Sequence, residues 1–185
     1  MDINQNRTAR KWSRKELAGR VLWAAFGPLF RCSPRLCWEW RNFLLRLFGA
    51  KIGKNVQINP SAKVFIPWNL EIGDWSAIGF DVLIYNLGVL KIGEKVTLSH
   101  KSHICGGTHD YCDVSLPLIK SDITIEGGAW ICAEAFVGPG VTVGEGSVLA
   151  ARGVAVKDLE SWSVYGGNPA KLIKERVLNE SNSIV

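Results

Sequence analysis

The stretch I-T-I-E-G-G-A-W-I-C-A-E-A-F-V-G-P-G-V-T-V-G-E-G-S-V (residues 123–148) cycles every six residues. Aliphatic residues stand at Ile125, Ile131, Val137 and Val143, and the next falls at Leu149. The fifth place of each cycle holds Ala129, Ala135, Val141, Ser147 and Gly153, all modest in size. A period of two would mark a single strand and 3.6 a helix, so a period of six points to a repeated structural unit.

The cycle extends upstream. Its first positions there are Ile52, Ile58, Val64, then Ile72, Ile78, Ile84, then Ile92, Leu98, Ile104. All fourteen first positions are Ile, Leu or Val, although these types supply only 49 of the 185 residues. The upstream fifth positions are Val56, Ala62, Trp68, Ser76, Val82, Gly88, Val96, Ser102 and Thr108, where only Trp68 is large. Ile52, Ile72 and Ile92 begin units of 20 residues, with the extra pair at Leu70-Glu71 and Leu90-Lys91. Three hexapeptides make a three-sided coil. Each side is a short strand with its aliphatic residue inward, and Gly, Asn or Asp is expected to relax the corners. Stacked at about 4.8 Å, such coils form a parallel β-helix of triangular section. The period leaves its handedness open.

Hydrophobic residues make up 47% of the chain and charged residues 21%, which suits a packed core and excludes wholesale disorder. The net charge of +5 is unevenly spread. Residues 1–54 hold 12 Lys+Arg against 3 Asp+Glu, and residues 55–185 hold 10 against 14. Residues 1–50 therefore read as a basic, Trp-rich segment, helical from Arg14 to Phe48 with breaks at Gly27-Pro28 and Ser33-Pro34. It suits two roles equally: a cap over the open end of the β-helix, or a face resting on an anionic membrane surface. No nucleic-acid motif accompanies it, so nucleic acid is not an expected partner. The apolar run Leu17–Phe30 is broken by Arg20, Gly27 and Pro28 and falls short of the roughly 20 residues of a spanning helix. Five scattered cysteines without a CxxC pair suit reduced thiols. The expected location is cytoplasmic, at most peripheral at the inner face of the membrane. Residues 51–167 form the β-helix with an inserted loop at 110–122, and 168–185 read as a short C-terminal helix and tail.

The interior of such a fold is filled, so chemistry belongs to corners, outward residues and the insertion. Of the three histidines, His109 opens the insertion and should point outward; His103 should also point outward, and it and His100 carry no further signal. An imidazole is suited to deprotonate a hydroxyl near neutral pH. Cys105 and Cys112 flank His109, and composition alone would permit a covalent thiol relay.

The cycle, the closing V-Y-G-G-N-P-A-K-L-I (164–173), the R-N-F-L-L-R-L-F-G-A-K-I-G (41–53) and the C-G-G-T-H-D-Y (105–111) resemble the hexapeptide-repeat acyltransferases. They are most similar to the galactoside, maltose and nodulation-factor O-acetyltransferases and to the colanic-acid type of exopolysaccharide acetyltransferase. The resemblance spans about Lys51 to Arg176 and implies a left-handed β-helix. It implies a homotrimer with the CoA cleft between subunits, acetyl-CoA as co-substrate, no metal, a saccharide acceptor, and direct transfer in a ternary complex. It assigns His109 as general base and Asn86 to acceptor contact, with Asp110 able to orient the imidazole. For CoA it implies Ala133, Ala151, Val156, Lys157, Lys171 and Lys174. The related carbonic anhydrases draw zinc ligands from successive coils, whereas here all three histidines lie between His100 and His109. The alternatives are an N-acyltransferase on an amino sugar and a non-catalytic or metal-dependent β-helix protein.

Overall fold

A computed structural model describes residues 3–179. Five complete coils run along the chain. The first holds β1 (Lys51–Ile52), β2 (Gln57–Ile58) and β3 (Lys63–Val64), and the second β4 (Leu70–Ile72), β5 (Ala77–Ile78) and β6 (Leu83–Tyr85). The third holds β7 (Leu90–Ile92), β8 (Thr97–Leu98) and β9 (His103–Cys105), then sends out an arm of β10 (Gly107–His109) and β11 (Leu118–Lys120). The fourth holds β12 (Ile123–Ile125), β13 (Trp130–Ile131) and β14 (Phe136–Val137), and the fifth β15 (Thr142–Val143), β16 (Val148–Leu149) and β17 (Val154–Ala155). A partial sixth coil contributes β18 (Ser163–Gly166), and β19 (Lys171–Glu175) returns antiparallel to it. Like sides pair in parallel, giving face A (β1-β4-β7-β12-β15), face B (β2-β5-β8-β13-β16-β18-β19) and face C (β3-β6-β9-β14-β17).

The hexapeptide register maps onto the prism. Thirteen of the fourteen first-position aliphatics are buried, and only Ile52, at the open end, is half-buried. Fifth positions are buried except at Trp68, Gly88 and Thr108, the three places where a coil is lengthened or left. Trp68 is tolerated because it meets a glycine: a Cβ on Gly19 would lie 2.8 Å from its ring.

The corners meet the expectation in part. Left-handed backbone falls at the fourth position of the cycle, where Asn55 (φ 55°), Asp81 (54°), Gly128 (68°), Gly140 (78°) and Gly146 (62°) stand as expected. Bulky residues also take it: Trp75 (φ 60°), Lys95 (57°), Lys101 (56°), Glu134 (58°) and Arg152 (58°). That conformation costs about 1–2 kcal/mol per L-residue. Here the N–H of each bulky residue meets the preceding coil, as in Trp75 to Lys54 O (2.9 Å) and Arg152 to Ala133 O (2.9 Å). Coil stacking thus overrides local preference, with the side chains turned outward.

The N-terminal segment closes the first coil. Helix α1 (Ile3–Thr8) precedes α2 (Arg14–Arg31) and α3 (Trp38–Leu47). Ser13 and Glu16 form a capping box at the start of α2, satisfying two donors that a helix start leaves open. The expected break at Gly27-Pro28 does not occur, since α2 continues through Pro28 to Arg31. Pro28 lies in the last turn, and buried Phe30 holds that turn against the core. All three open strand edges receive side-chain donors. Trp23 Nε1 bonds Val64 O (2.8 Å), Asn42 Nδ2 bonds Val56 O (2.8 Å) and Arg41 Nε bonds Ile58 O (2.6 Å). Arg46 reaches Ile52 O (3.1 Å) and Gly53 O (2.8 Å). An exposed edge of this kind invites pairing between chains, and here it is covered.

The expected C-terminal helix is corrected: residues 171–175 form β19. β18 would otherwise present an unpaired edge, and a helix this short is marginal by itself. Arg176 then donates to Gly128 O (3.0 Å) and Gly146 O (2.6 Å), stapling the strand to the A-to-B corners. The final six residues of the expected tail lie outside the described residues.

Candidate active site

The insertion is an antiparallel ribbon that begins earlier than the expected 110–122. Gly107 pairs with Lys120, Thr108 with Ile119 and His109 with Leu118. Two adjacent glycines let it leave the coil. A Cβ on Gly107 would lie 2.6 Å from Leu87 Cδ1, and one on Gly106 2.9 Å from Ser121 O. Alternate residues of a ribbon share a face, so His109, Leu118 and Lys120 project on one side.

His109 is exposed, and its Nδ1 lies 2.7 Å from Leu116 O. A carbonyl can only accept, so Nδ1 carries the proton and Nε2 keeps its lone pair. Leu116 adopts φ 47°, an unusual conformation for a leucine, which aims its carbonyl back across the loop. This carbonyl is the orienting group that residue patterns did not reveal, because any residue can supply one. Asp110 instead caps its own turn, accepting from Cys112 N (2.9 Å). The ring therefore faces a carbonyl on its Nδ1 side and not a thiol; Cys105 Sγ donates to Gly107 O (3.3 Å). His103 points outward from face C against Phe136 (5.2 Å between centroids). Burial pushes its imidazole below the ordinary histidine value. His100 stacks on Phe80 at a corner (4.9 Å, 4°).

Asn86 is buried at the end of β6, and its amide is committed to main chain: Oδ1 accepts from Ile66 N (3.0 Å) and Nδ2 donates to Ile66 O (2.7 Å). It sits one coil from the root of the His109 arm, beside the Tyr85 carbonyl that accepts from Gly106 N (2.8 Å). Asn86 and His109 thus share the C-to-A edge of the prism. Val156 and Lys157 lie exposed on the same edge in the fifth coil. Ala133 and Ala151 lie instead on the B-to-C edge, where Glu134 and Arg152 pair at 2.7 Å. Lys171 and Lys174 sit exposed on β19 at the end of face B. Face C separates the two edges within one chain. Among the described residues no group of three or more His, Cys, Asp or Glu converges as metal ligands would, and no helix is long and apolar enough to cross a membrane.

The arm is braced from the N-terminus. Lys120 Nζ stands 3.7 Å from the centroid of Trp12 and 3.7 Å from Glu16 Oε1. Arg20 lies 4.3 Å over Trp12 and 4.8 Å over Phe65, which packs on Tyr85 at 4.8 Å. Cation–π contacts of this kind contribute about 0.5–1 kcal/mol at exposed sites.

No family model matches the chain. Individual proteins do. The colanic acid biosynthesis acetyltransferase named WcaF of Escherichia coli (strain K12) is 45% identical over 161 residues, 87% of this chain and 88% of the relative. The acetyl-CoA complex of the hexapeptide-repeat acetyltransferase VCA0836 from Vibrio cholerae superposes with a TM-score of 0.83, at 22% identity, over 91% of this chain and 93% of that one. A galactoside acetyltransferase in complex with coenzyme A gives 0.82 at 23% identity, over 95% and 91%. The two structures share the fold, and the close sequence match decides kinship: this chain belongs to the acetyltransferase family of WcaF.

Proposed function

We propose that the protein transfers the acetyl group of acetyl-CoA to a hydroxyl of a saccharide during assembly of a surface or secreted polysaccharide. The observation that carries this reading is His109, whose Nδ1 is held by the Leu116 carbonyl at 2.7 Å. Nε2 then takes the proton of the acceptor hydroxyl as its oxygen attacks the thioester carbonyl. The new C–O bond forms, the tetrahedral oxyanion collapses, the C–S bond breaks, and the sulfur leaves with the proton returned from the imidazolium. A base so placed contributes about 10²–10⁴-fold. Asn86 acts as an acceptor contact only through the amide valence that Ile66 leaves over. The test is release of free CoA thiol from acetyl-CoA over a panel of sugars, with the acetylated sugar identified by mass. Hydrolysis without sugar acetylation overturns the reading.

For acetyl-CoA, Ala133 and Ala151 offer a corner where a larger side chain would obstruct an extended arm, Val156 and Lys157 line the other edge, and Lys171 and Lys174 receive phosphates. Neither of the last two lysines pairs with a carboxylate among the described residues. The double variant Lys171→Ala/Lys174→Ala is expected to raise KM for acetyl-CoA about tenfold, about 1.4 kcal/mol, with kcat little changed. An unchanged KM removes them from the site. Because His109 and Ala133 stand on different edges, the complete site is proposed to form between copies in a homotrimer. Light scattering at the mass of a single 20.4 kDa chain would exclude this.

The N-terminal helices are proposed to rest on an anionic membrane surface as well as to cap the coil. Leu17, Val21, Leu22, Leu29, Phe43 and Leu47 are exposed on them, amid the basic excess of residues 1–54. The protein should sediment with anionic vesicles. Val21→Gln/Leu22→Gln/Phe43→Gln should weaken this, and salt should weaken it further, since screening acts over about 10 Å at 0.1 M. Equal sedimentation of wild type and variant would reject the membrane reading.

A further inference from the structure

The ribbon that carries His109 touches α1, more than 100 residues away in sequence, through hydrogen bonds whose direction chemistry dictates. Lys11 Nζ donates to Asn6 Oδ1 at 2.6 Å. An ammonium has no lone pair to offer, so the atom facing it is the amide oxygen, and the NH₂ group must face the other way. There Asn6 Nδ2 donates to Ser115 O at 2.8 Å and also to Leu116 O. Leu116 O is the same atom that receives His109 Nδ1–H. Each donor and acceptor along Lys11–Asn6–Leu116–His109 is therefore assigned, and the chain ends on the imidazole, whose Nε2 has no hydrogen-bond partner among the described residues.

We infer that Asn6 is a positioning residue for His109, with Lys11 setting the sense of its amide. The inference rests on the reading of His109 as general base and adds the N-terminal helix to the apparatus that orients it. The physical need is evident in Leu116. Its positive φ is held at a loop tip where Val114 and Tyr111 are 65% and 87% exposed. Within the loop Leu116 N donates to Asp113 O (3.0 Å), while no loop hydrogen bond but that of His109 engages the Leu116 carbonyl among the described residues. A leucine in that region is strained and persists there only where its surroundings over-determine it. Two hydrogen bonds from Asn6 to consecutive carbonyls do so. Without them only the turn bonds of the loop itself, Leu116 N to Asp113 O and Asp110 N to Pro117 O, oppose rotation of the Leu116 carbonyl. Once that carbonyl turns, His109 loses the partner that selects its tautomer and direction, and a misplacement of about 1 Å can cost about 10²-fold in rate.

The experiment compares Asn6→Asp, which keeps the shape and removes the donor, with Asn6→Gln, which keeps the donor, and with Lys11→Met. Asn6→Asp should lower kcat about 10- to 100-fold, leave KM for acetyl-CoA unchanged and leave Tm near wild type. Asn6→Gln should retain more activity than Asn6→Asp, and Lys11→Met should fall between wild type and Asn6→Asp. The readout that a merely structural contact would not move is the imidazole itself. Nitrogen-15 NMR, with the His109 signal identified by its loss in His109→Ala, should show the proton on Nδ1 in the wild type and a shifted tautomer balance in Asn6→Asp. Full kcat with an unchanged tautomer in Asn6→Asp overturns the inference. The tautomer measurement needs no turnover, so it also separates the two ideas. An active His109→Ala sinks the general-base reading, whereas an unmoved tautomer in Asn6→Asp sinks only the role of Asn6.

Discussion

Replacing His109 by alanine is expected to lower turnover by about 10²–10⁴-fold and to leave acetyl-CoA affinity close to wild type. The imidazole is proposed to act on the acceptor hydroxyl, whereas the groups proposed to hold CoA lie on β19, on the B-to-C edge and in the fifth coil. His109 is exposed on a ribbon whose contacts with Trp12 and Glu16 run through Lys120 and do not use the ring, so the fold should survive its loss. Steady-state kinetics with both substrates varied, alongside a CoA-binding titration, checks both parts. Cys105→Ala and Cys112→Ala should each keep most activity, because the His109 Nδ1 partner is the Leu116 carbonyl and Cys105 is engaged with Gly107 O. An active His109→Ala beside a dead cysteine variant would replace direct transfer with a thiol relay.

The largest expected effect on stability belongs to Arg41. Its side chain is 1% exposed and faces no carboxylate; its partners are Ile58 O (2.6 Å), Ser33 Oγ (2.7 Å), Pro34 O (2.8 Å) and Arg35 O (2.6 Å). Burial pulls its guanidinium below the ordinary arginine value, yet four of its donors are engaged, which is what a planar fork can do and an ammonium cannot. Arg41→Ala removes those donors, strands the buried Ile58 carbonyl and leaves a cavity between α3, the 33–35 turn and face B. The expected cost is about 3 kcal/mol, or a fall in Tm of about 6–12 °C for a chain of this size. Arg41→Lys should recover only part of it. A thermal melt in which Arg41→Lys matches wild type would show that charge, and not fork geometry, is what the site needs.

Much of the architecture is legible in residue order because a β-helix is nearly one-dimensional. Each hexapeptide contacts its counterparts in the adjacent coils, so the inward column from Ile58 to Leu149 could be counted before any coordinate was known. The lengthening of the two coils before Ile72 and Ile92 is also visible, but its place is not. The extra pairs read at Leu70-Glu71 and Leu90-Lys91 lie within β4 and β7, and the added length is taken up by a 3-10 turn at Pro67–Asn69 and a bend at Leu87-Gly88. The corners were less legible. Local preference favours Gly, Asn or Asp there, whereas Trp75, Lys95 and Glu134 are held in left-handed backbone by hydrogen bonds from the neighbouring coil. The helix expected after Pro169 failed similarly: the open edge of β18 outweighed the modest helical preference of Lys171–Glu175.

The candidate site divides along the same line. His109 stands out because it begins the one long interruption of the cycle, and a break in a repeat is visible in one dimension. Leu116 does not, because its contribution is a carbonyl aimed by a positive φ. Nor does Asn6, whose carbonyl partners Ser115 and Leu116 are more than 100 residues away. The relation of His109 to Ala133 and Ala151 also needed the folded prism, since only chain closure sets one on the C-to-A edge and the others on the B-to-C edge. Periodic burial follows from side-chain identity at a fixed spacing and so belongs to the sequence. The imidazole meets a main-chain carbonyl of its own loop, which a side chain from a distant segment also reaches, and neither the aimed carbonyl nor that approach has a residue-type signature.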